Sequence, residues 1–364
     1  MLSIVEELQS WRGRYALATV VDVERSAPRR PGAAMAMSST GAVQGSVSVG
    51  CIESDLFARC EQVLADGQVQ TVRYGVGDDL ALGPGMTCGG EIEVFIQRLD
   101  PADLDLRAVV EARRSQSHAA LVTELDGSAA GRVRLVRPDG WVEPREQRAW
   151  DLAREAGADG TVIVAGRRLF VELITPRPRL IVIGAVDFAG AIADVASLVG
   201  FHVTVCDARP AFATAERFRS ADEVVAAWPQ QYLADIEIAS DTAICVITHD
   251  ARFDEPVIEV AIRSPAGYIG VMGSRRTHHD RLDRLRRRGL GDEDLARLHS
   301  PIGLDLGGIT PHETAVSVVA EIIATRRRGS GVPLGRSGGP IHRDRSVSVE
   351  GSRRLGGTRP ARRP

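Results

Sequence analysis

Residues 180–209 read LIVIGAVDFAGAIADVASLVGFHVTVCDAR, and their pattern decides the fold. Residues 180–183 are a short apolar, β-branched run, as a parallel strand buried on both faces requires. Gly184 opens a turn, apolar residues then recur at helical spacing (Phe188, Ile192, Val195, Ala196, Val199), and Gly200 stops them. Residues 201–206 are a second strand that ends in Asp207. A βαβ unit with an acid about twenty positions beyond the glycine turn is how a dinucleotide-binding fold opens. The glycine frame departs from that fingerprint. Its three positions fall on Gly184, Val186 and Ala189, and Asp187 stands where the positive end of the helix would meet a phosphate. The scaffold predicts a nucleotide fold, while the loop argues against a bound nucleotide.

Working outward, residues 243–247 and 268–270 read as further strands alternating with helical segments, the pattern of a Rossmann-like, doubly wound parallel sheet in an α/β domain. A last helix starts at Thr310-Pro311-His312-Glu313, where a cap, a first-turn proline and a capping-box glutamate stand in register. Upstream, Thr175-Pro176-Arg177-Pro178 opposes both helix and ladder and reads as a linker. Before it, an amphipathic helix over 3–11, strands at 15–23, 69–74 and 91–99 and a helix over 52–64 predict an N-terminal α+β domain. Weaker alternation over 100–178 continues it. The expected division is therefore 1–175, 176–328 and a disordered tail at 329–364 rich in Arg, Gly, Ser and Pro.

A chain of 364 residues exceeds one ordinary core, and 44% hydrophobic with 26% charged residues is the composition of a soluble globular protein. A net charge of −3 gives no reason to expect nucleic acid as a partner. There is no lysine in the sequence, which excludes a P-loop lysine, a Schiff-base lysine and a lysine general base together. Arginine, a bidentate reader of phosphate and carboxylate, is left for anion binding. With no charged-then-apolar leader, no 20-residue apolar span and five scattered cysteines, the reading is a cytoplasmic protein with reduced thiols and no membrane span.

Four groups of residues could carry chemistry. Cys51 follows a glycine-bearing strand end and precedes the helix over 52–64, where the helix dipole would favour its thiolate, with Glu53 in the first turn. Cys88 lies in a loop flanked by Gly89 and Gly90; both thiols also admit the plainer reading of small buried hydrophobes. Cys60, Cys206 and Cys245 read as core, and without CxxC spacing no structural zinc site is expected. Thr248-His249-Asp250 follows a strand and so stands at the carboxyl edge of the sheet, where His249 could move a proton or touch a ligand. Gly273, Ser274, Arg275 and Arg276 end a strand, cap a helix and fill its first turn with positive charge that an anion would relieve. The competing reading of that stretch is a set of solvated arginines, continued by Arg281, Arg284 and residues 286–288. Arg209, two positions after Asp207, could add an anion contact. Two prolines stiffen the loop Ser26-Ala27-Pro28-Arg29-Arg30-Pro31-Gly32, which displays Arg29 and Arg30.

With these residues laid out, the chain resembles the XdhC/CoxI family, accessory proteins of molybdenum-cofactor hydroxylases. The N-terminal likeness lies in residues 26–32, Met35, residues 45–53 and Cys88-Gly89-Gly90. The C-terminal likeness lies in residues 205–209, 248–250, 268–276, 301–305 and 310–321. The resemblance implies a chaperone that transiently binds molybdenum cofactor (molybdopterin). It would assist sulfuration of the cofactor with a cysteine desulfurase and insert it into a xanthine dehydrogenase- or CO dehydrogenase-type apoenzyme, itself catalysing no turnover. The implied cofactor-binding residues are Cys51, Glu53, Cys88, Gly184, Asp207, Arg209, His249, Gly273, Ser274 and Arg275, with Cys51 and Cys88 as candidate thiolates for the metal. A homodimer is compatible with this reading. Two departures from the family pattern stand out: Val49-Gly50-Cys51 in place of Gly-Gly-Cys, and Gly184-Ala185-Val186-Asp187 in place of Gly-Ala-Gly-His. The rival readings are an NAD(P)-dependent oxidoreductase, with Asp207 on a ribose and His249 moving protons, and a degenerate family member serving as an assembly scaffold.

Overall fold

The computed structural model describes the chain except residues 25–28, 49, 76–89, 101, 103, 139, 141, 249–250 and 339–364, and the side chains of 251 and 252. Two compact units emerge, one within Met1–Pro176 and the other within Arg177–Gly339.

The first unit opens with a single 3₁₀ turn that runs into the short helix α1 (Val5–Leu8). The helix expected over 3–11 stops early, for neither end of α1 has a side-chain cap. Five antiparallel strands follow: β1 (Tyr15–Glu24), β2 (Ala34–Ser38), β3 (Val43–Gly45), β4 (Gln70–Tyr74) and β5 (Glu91–Leu99), in the order β3-β2-β1-β5-β4, with α2 (Glu53–Asp66) inserted between β3 and β4. Alternate residues of β1 serve two cores. Ala16, Ala18 and Val20 pack with Leu56, Cys60 and Val63 of α2, while Tyr15 and Leu17 face the opposite way.

That second face meets the middle of the chain. Helix α3 (Leu106–Arg114), β6 (Ala119–Glu124), β7 (Val133–Val136), α4 (Pro144–Ala156), β8 (Gly160–Val164) and β9 (Arg167–Ile174) add a four-stranded antiparallel sheet ordered β7-β6-β9-β8. Leu121 and Ile174 from this sheet share one core with Tyr15, Leu17 and Val109, and Trp150 of α4 closes the far face. The middle segment is thus half of a two-sheet sandwich.

The second unit is the doubly wound domain. Strands β10 (Arg179–Ile183), β11 (His202–Asp207), β12 (Glu223–Ala226), β13 (Ala243–Val246), β14 (Tyr268–Val271) and β15 (Leu298–His299) are all parallel in the order β12-β11-β10-β13-β14-β15. The connecting helices are α5 (Asp187–Leu198), α6 (Pro229–Asp235), α7 (Ala251–Arg263), α8 (Arg275–Arg287), α9 (Asp292–Leu295) and α10 (Pro311–Arg327). Helices α5 and α10 cover one face of the sheet and α6–α9 the other. Strands β12 and β15 escape the sequence reading because four half-exposed residues and two residues carry too little period to register. The switch point, where ligands of such sheets bind, lies between β10 and β13. No helix among the described residues is long and apolar enough to cross a membrane.

Candidate functional site

Cys51 is exposed and stands one residue before Ile52, the N-cap of α2. Its turn is built by Glu53. The Glu53 carboxylate accepts from the Ser48 amide (2.8 Å), Ser46 Oγ (2.7 Å), Ser48 Oγ and the Ile52 amide (3.3 Å). Ser48 Oγ in turn accepts from the Gly50 and Cys51 amides, each at 3.2 Å. Burial raises the Glu53 pKa, but the hydrogen bonds from Ser48 and Ser46 outweigh it and hold the carboxyl down to about 2. Glu53 therefore organises the loop that displays Cys51. Cys60, Cys206 and Cys245 are buried as expected, and burial pushes the first two thiols up to about 12. Cys88 and Gly89 lie outside the described residues.

At the carboxyl edge of the parallel sheet, Gly184 adopts φ +112°, and a Cβ there would come within 2.6 Å of Thr248 Cγ2, so only glycine fits. Asp207, at the end of β11, is buried, and both its oxygens are engaged. Oδ2 accepts from the Ala185 amide (2.7 Å) and Arg209 Nη2 (2.8 Å), Oδ1 from the amide and Nε of Arg209 (2.9 Å each). Burial alone would raise the Asp207 pKa; Arg209 and the Ala185 amide reverse that and lower it. Arg209 also lies over the Phe212 ring at 4.4 Å. The acid that holds a ribose in a dinucleotide fold here ties the glycine turn to Arg209. Asp187 is the first residue of α5, with its side chain 90% exposed and Arg217 3.8 Å away. His249 lies outside the described residues.

At the end of β14, Ser274 caps α8 by accepting the Thr277 amide at 3.1 Å. Arg275 and Arg276 fill the first turn, exposed, with no acidic residue in that turn. Arg281 corrects the reading of that helix as solvated. It is only 2% exposed, donates to the Met272 carbonyl at 3.0 Å and pairs with buried Asp254 at 3.5 Å. Asp254 also accepts from Thr248 Oγ1, so one buried pair anchors both the β13 and the β14 ends at the switch point's side of the sheet. Sequence reasoning missed this pair; its one signal was that Arg281 stands four positions before Leu285, the other buried residue of α8.

The structure thus offers an exposed thiol on a hydrogen-bonded turn in the first unit, and in the second a capped helix start bearing two exposed guanidiniums. Among the described residues no group of three or more His, Cys, Asp or Glu is placed to hold a metal ion.

Known proteins share this order of domains. Residues 9–75 match the family model of the XdhC and CoxI family, and residues 180–322 that of the XdhC Rossmann domain. The chain is 33% identical over 326 residues to a Bacillus subtilis (strain 168) protein named as a probable xanthine dehydrogenase subunit, covering 86% of this chain and 93% of that protein. It is 28% identical over 327 residues to the molybdenum cofactor insertion chaperone PaoD of Escherichia coli (strain K12), covering 88% and 86%. A crystal structure described as a xanthine dehydrogenase from Bacillus halodurans is similar with a TM-score of 0.70 at 26% identity, over 92% of this chain and 97% of that one.

Proposed function

The chain belongs to the XdhC and CoxI family, and from that membership we propose that it is an accessory chaperone for molybdenum cofactor. It binds the cofactor transiently as cargo, assists its sulfuration with a cysteine desulfurase as partner, and hands it to a xanthine dehydrogenase- or CO dehydrogenase-type apoenzyme. The observation that carries this reading is the similarity to PaoD, which extends over both units. In this reading residues 1–175 and 176–328 act as two modules. Cys51 offers a soft thiolate to a soft metal–sulfur centre, while Ser274 and Arg275 at the start of α8 remain proposed anion contacts of the second unit. Glu53 acts by holding the Cys51 turn. Cys88, His249 and Gly273 remain proposed contacts, and Gly184, Asp207 and Arg209 shape the carboxyl edge of the second unit's sheet.

The oxidoreductase reading is disfavoured by Asp207, whose oxygens are already taken by Arg209 and the Ala185 amide. The test is to mix the full chain, reduced, with molybdenum cofactor released from a molybdoenzyme, and to follow absorbance and bound molybdenum. Stoichiometric uptake that falls at least tenfold in a Cys51→Ala, Cys88→Ala variant is expected. No uptake by the wild type overturns the chaperone reading, and full uptake with undiminished enzyme maturation in the variant favours a scaffold.

A further inference from the structure

The middle segment carries no recognised motif, yet it completes a cleft of about 270 Å³ in the first unit. The cleft is lined by Arg29, Arg30, Pro31 and Gly32 of the loop after β1 and by Asp159 and Glu172 around β8 and β9. The described end of the loop, residues 29–33, is held by backbone hydrogen bonds. The Gly32 amide donates to the Val20 carbonyl at 2.9 Å, and the Ala33 amide to the Arg30 carbonyl at 3.1 Å. Arg29 and Arg30 are exposed, and among the described residues neither forms an ion pair, although two carboxylates share their cleft.

The two carboxylates differ. Glu172 Oε1 is taken by the Met1 ammonium and, at 3.0 Å, by the Leu2 amide. Asp159 Oδ1 accepts from the Leu173 amide at 2.8 Å, while Oδ2 faces Gly32. Gly32 has φ +90°, and a Cβ there would meet Asp159 Oδ2 at 3.0 Å. The glycine thus leaves open the approach to that carboxylate. Burial, aided by nearby Glu172, pushes the Asp159 pKa up to about 6.

Unpaired guanidiniums at the mouth and an approachable carboxylate within suit a ligand that is anionic at one end and a hydrogen-bond donor at the other. A carboxylate accepts two parallel N–H groups, as the 2-amino-4-oxo pyrimidine edge of a pterin or guanine presents; an adenine edge presents one donor beside an acceptor. Two arginines suit phosphate. We infer that this cleft binds a phosphorylated 2-amino-4-oxo heterocycle, with Asp159 reading the ring edge and Arg29 and Arg30 holding the phosphate. The inference rests on the chaperone reading only for the name of the natural ligand, a pterin.

The experiment titrates the full chain with 5′-GMP, 5′-AMP and inorganic phosphate by calorimetry at pH 7.5. GMP is expected to bind at least tenfold more tightly than AMP. The isosteric Asp159→Asn should bring that ratio to near one, and Arg29→Ala with Arg30→Ala should weaken both nucleotides at least tenfold. Equal affinities in the wild type, no GMP binding, or an unchanged ratio in Asp159→Asn overturns the inference. Molybdenum-cofactor uptake, measured on the same variants, separates the two claims. Uptake by the wild type without GMP preference removes the cleft and leaves the chaperone, whereas GMP preference without uptake removes the chaperone and leaves the cleft.

Discussion

At the scale of single residues, the Cys51 turn shows how a side chain singled out as a ligand can serve as a strut. Glu53 accepts from two hydroxyls and two amides, and its carboxyl sits at about 2 against an ordinary 4.5. An acid whose folded pKa is depressed stabilises the fold above its unfolded pKa, and that stabilisation is lost as pH falls from about 4.5 towards 2. Glu53→Gln is therefore expected to cost about 1–2 kcal/mol at pH 7, where charged hydrogen bonds are lost. Urea melts should show the deficit shrinking by pH 3; a deficit that persists unchanged there would show that shape, not charge, is what Gln lacks. Sequence position alone pointed to Cys51 and Glu53 through the helix start that follows them. It could not show that Ser46 and Ser48 saturate the carboxylate, because that depends on how the loop folds back.

At the scale of elements, α8 was legible at its start and not at its middle. Ser274 caps it as its position predicts, with the Thr277 amide on its Oγ. Arg281 looks like one member of a run of solvated arginines, yet it is buried against Asp254, Met272 and the α7 side of the sheet. Only the packing of α8 on α7 removes it from water. A buried pair of this kind costs little or nothing as a unit, but breaking it strands a charge. Arg281→Ala is expected to lose about 3 kcal/mol or more, and adding Asp254→Ala should return part of that loss. Chemical denaturation of both singles and the double measures the coupling; strict additivity would mean that the pair does not act as one. The last helix is the opposite case, since Thr310 and Glu313 form their capping box within four residues and need no partner from elsewhere.

At the scale of the molecule, the first unit is one sandwich whose second sheet comes from the stretch that reads most weakly in sequence. Thr161 Oγ1 donates to the Val21 carbonyl at 2.8 Å, Arg168 reaches Glu93 at 2.8 Å, and Asp159 is carried under the Arg29 loop. Burial, opposed by the Leu173 amide and aided by Glu172, raises the Asp159 carboxyl from 3.8 to about 6. The folded chain then keeps a proton that the unfolded chain has lost between about pH 4 and pH 6. The stabilisation from that proton accordingly declines as pH rises through this window and is gone above it. Asp159→Asn, which cannot ionise, should gain about 2 kcal/mol on the wild type between pH 4 and pH 7, taking about 1.4 kcal/mol per pKa unit. Parallel pH-stability curves for the two proteins would refute it.

Elements whose cause is local can be read from the residues alone. Strand β10, the turn at Gly184, helix α5 and strand β11 follow from period and glycine, the box at Thr310 from four adjacent residues, and the buried thiols from their apolar neighbours. The tertiary structure decided what each polar group near the site is for. Asp207 is spent on Arg209 and Ala185, Glu53 on its own loop, and Arg281 on Asp254, while Arg29, Arg30 and Asp159 share a cleft without being spent on one another. The reason is physical. Periodicity records which face of an element meets the core, but a hydrogen bond or an ion pair is settled only when residues far apart in sequence come within about 3 Å of each other.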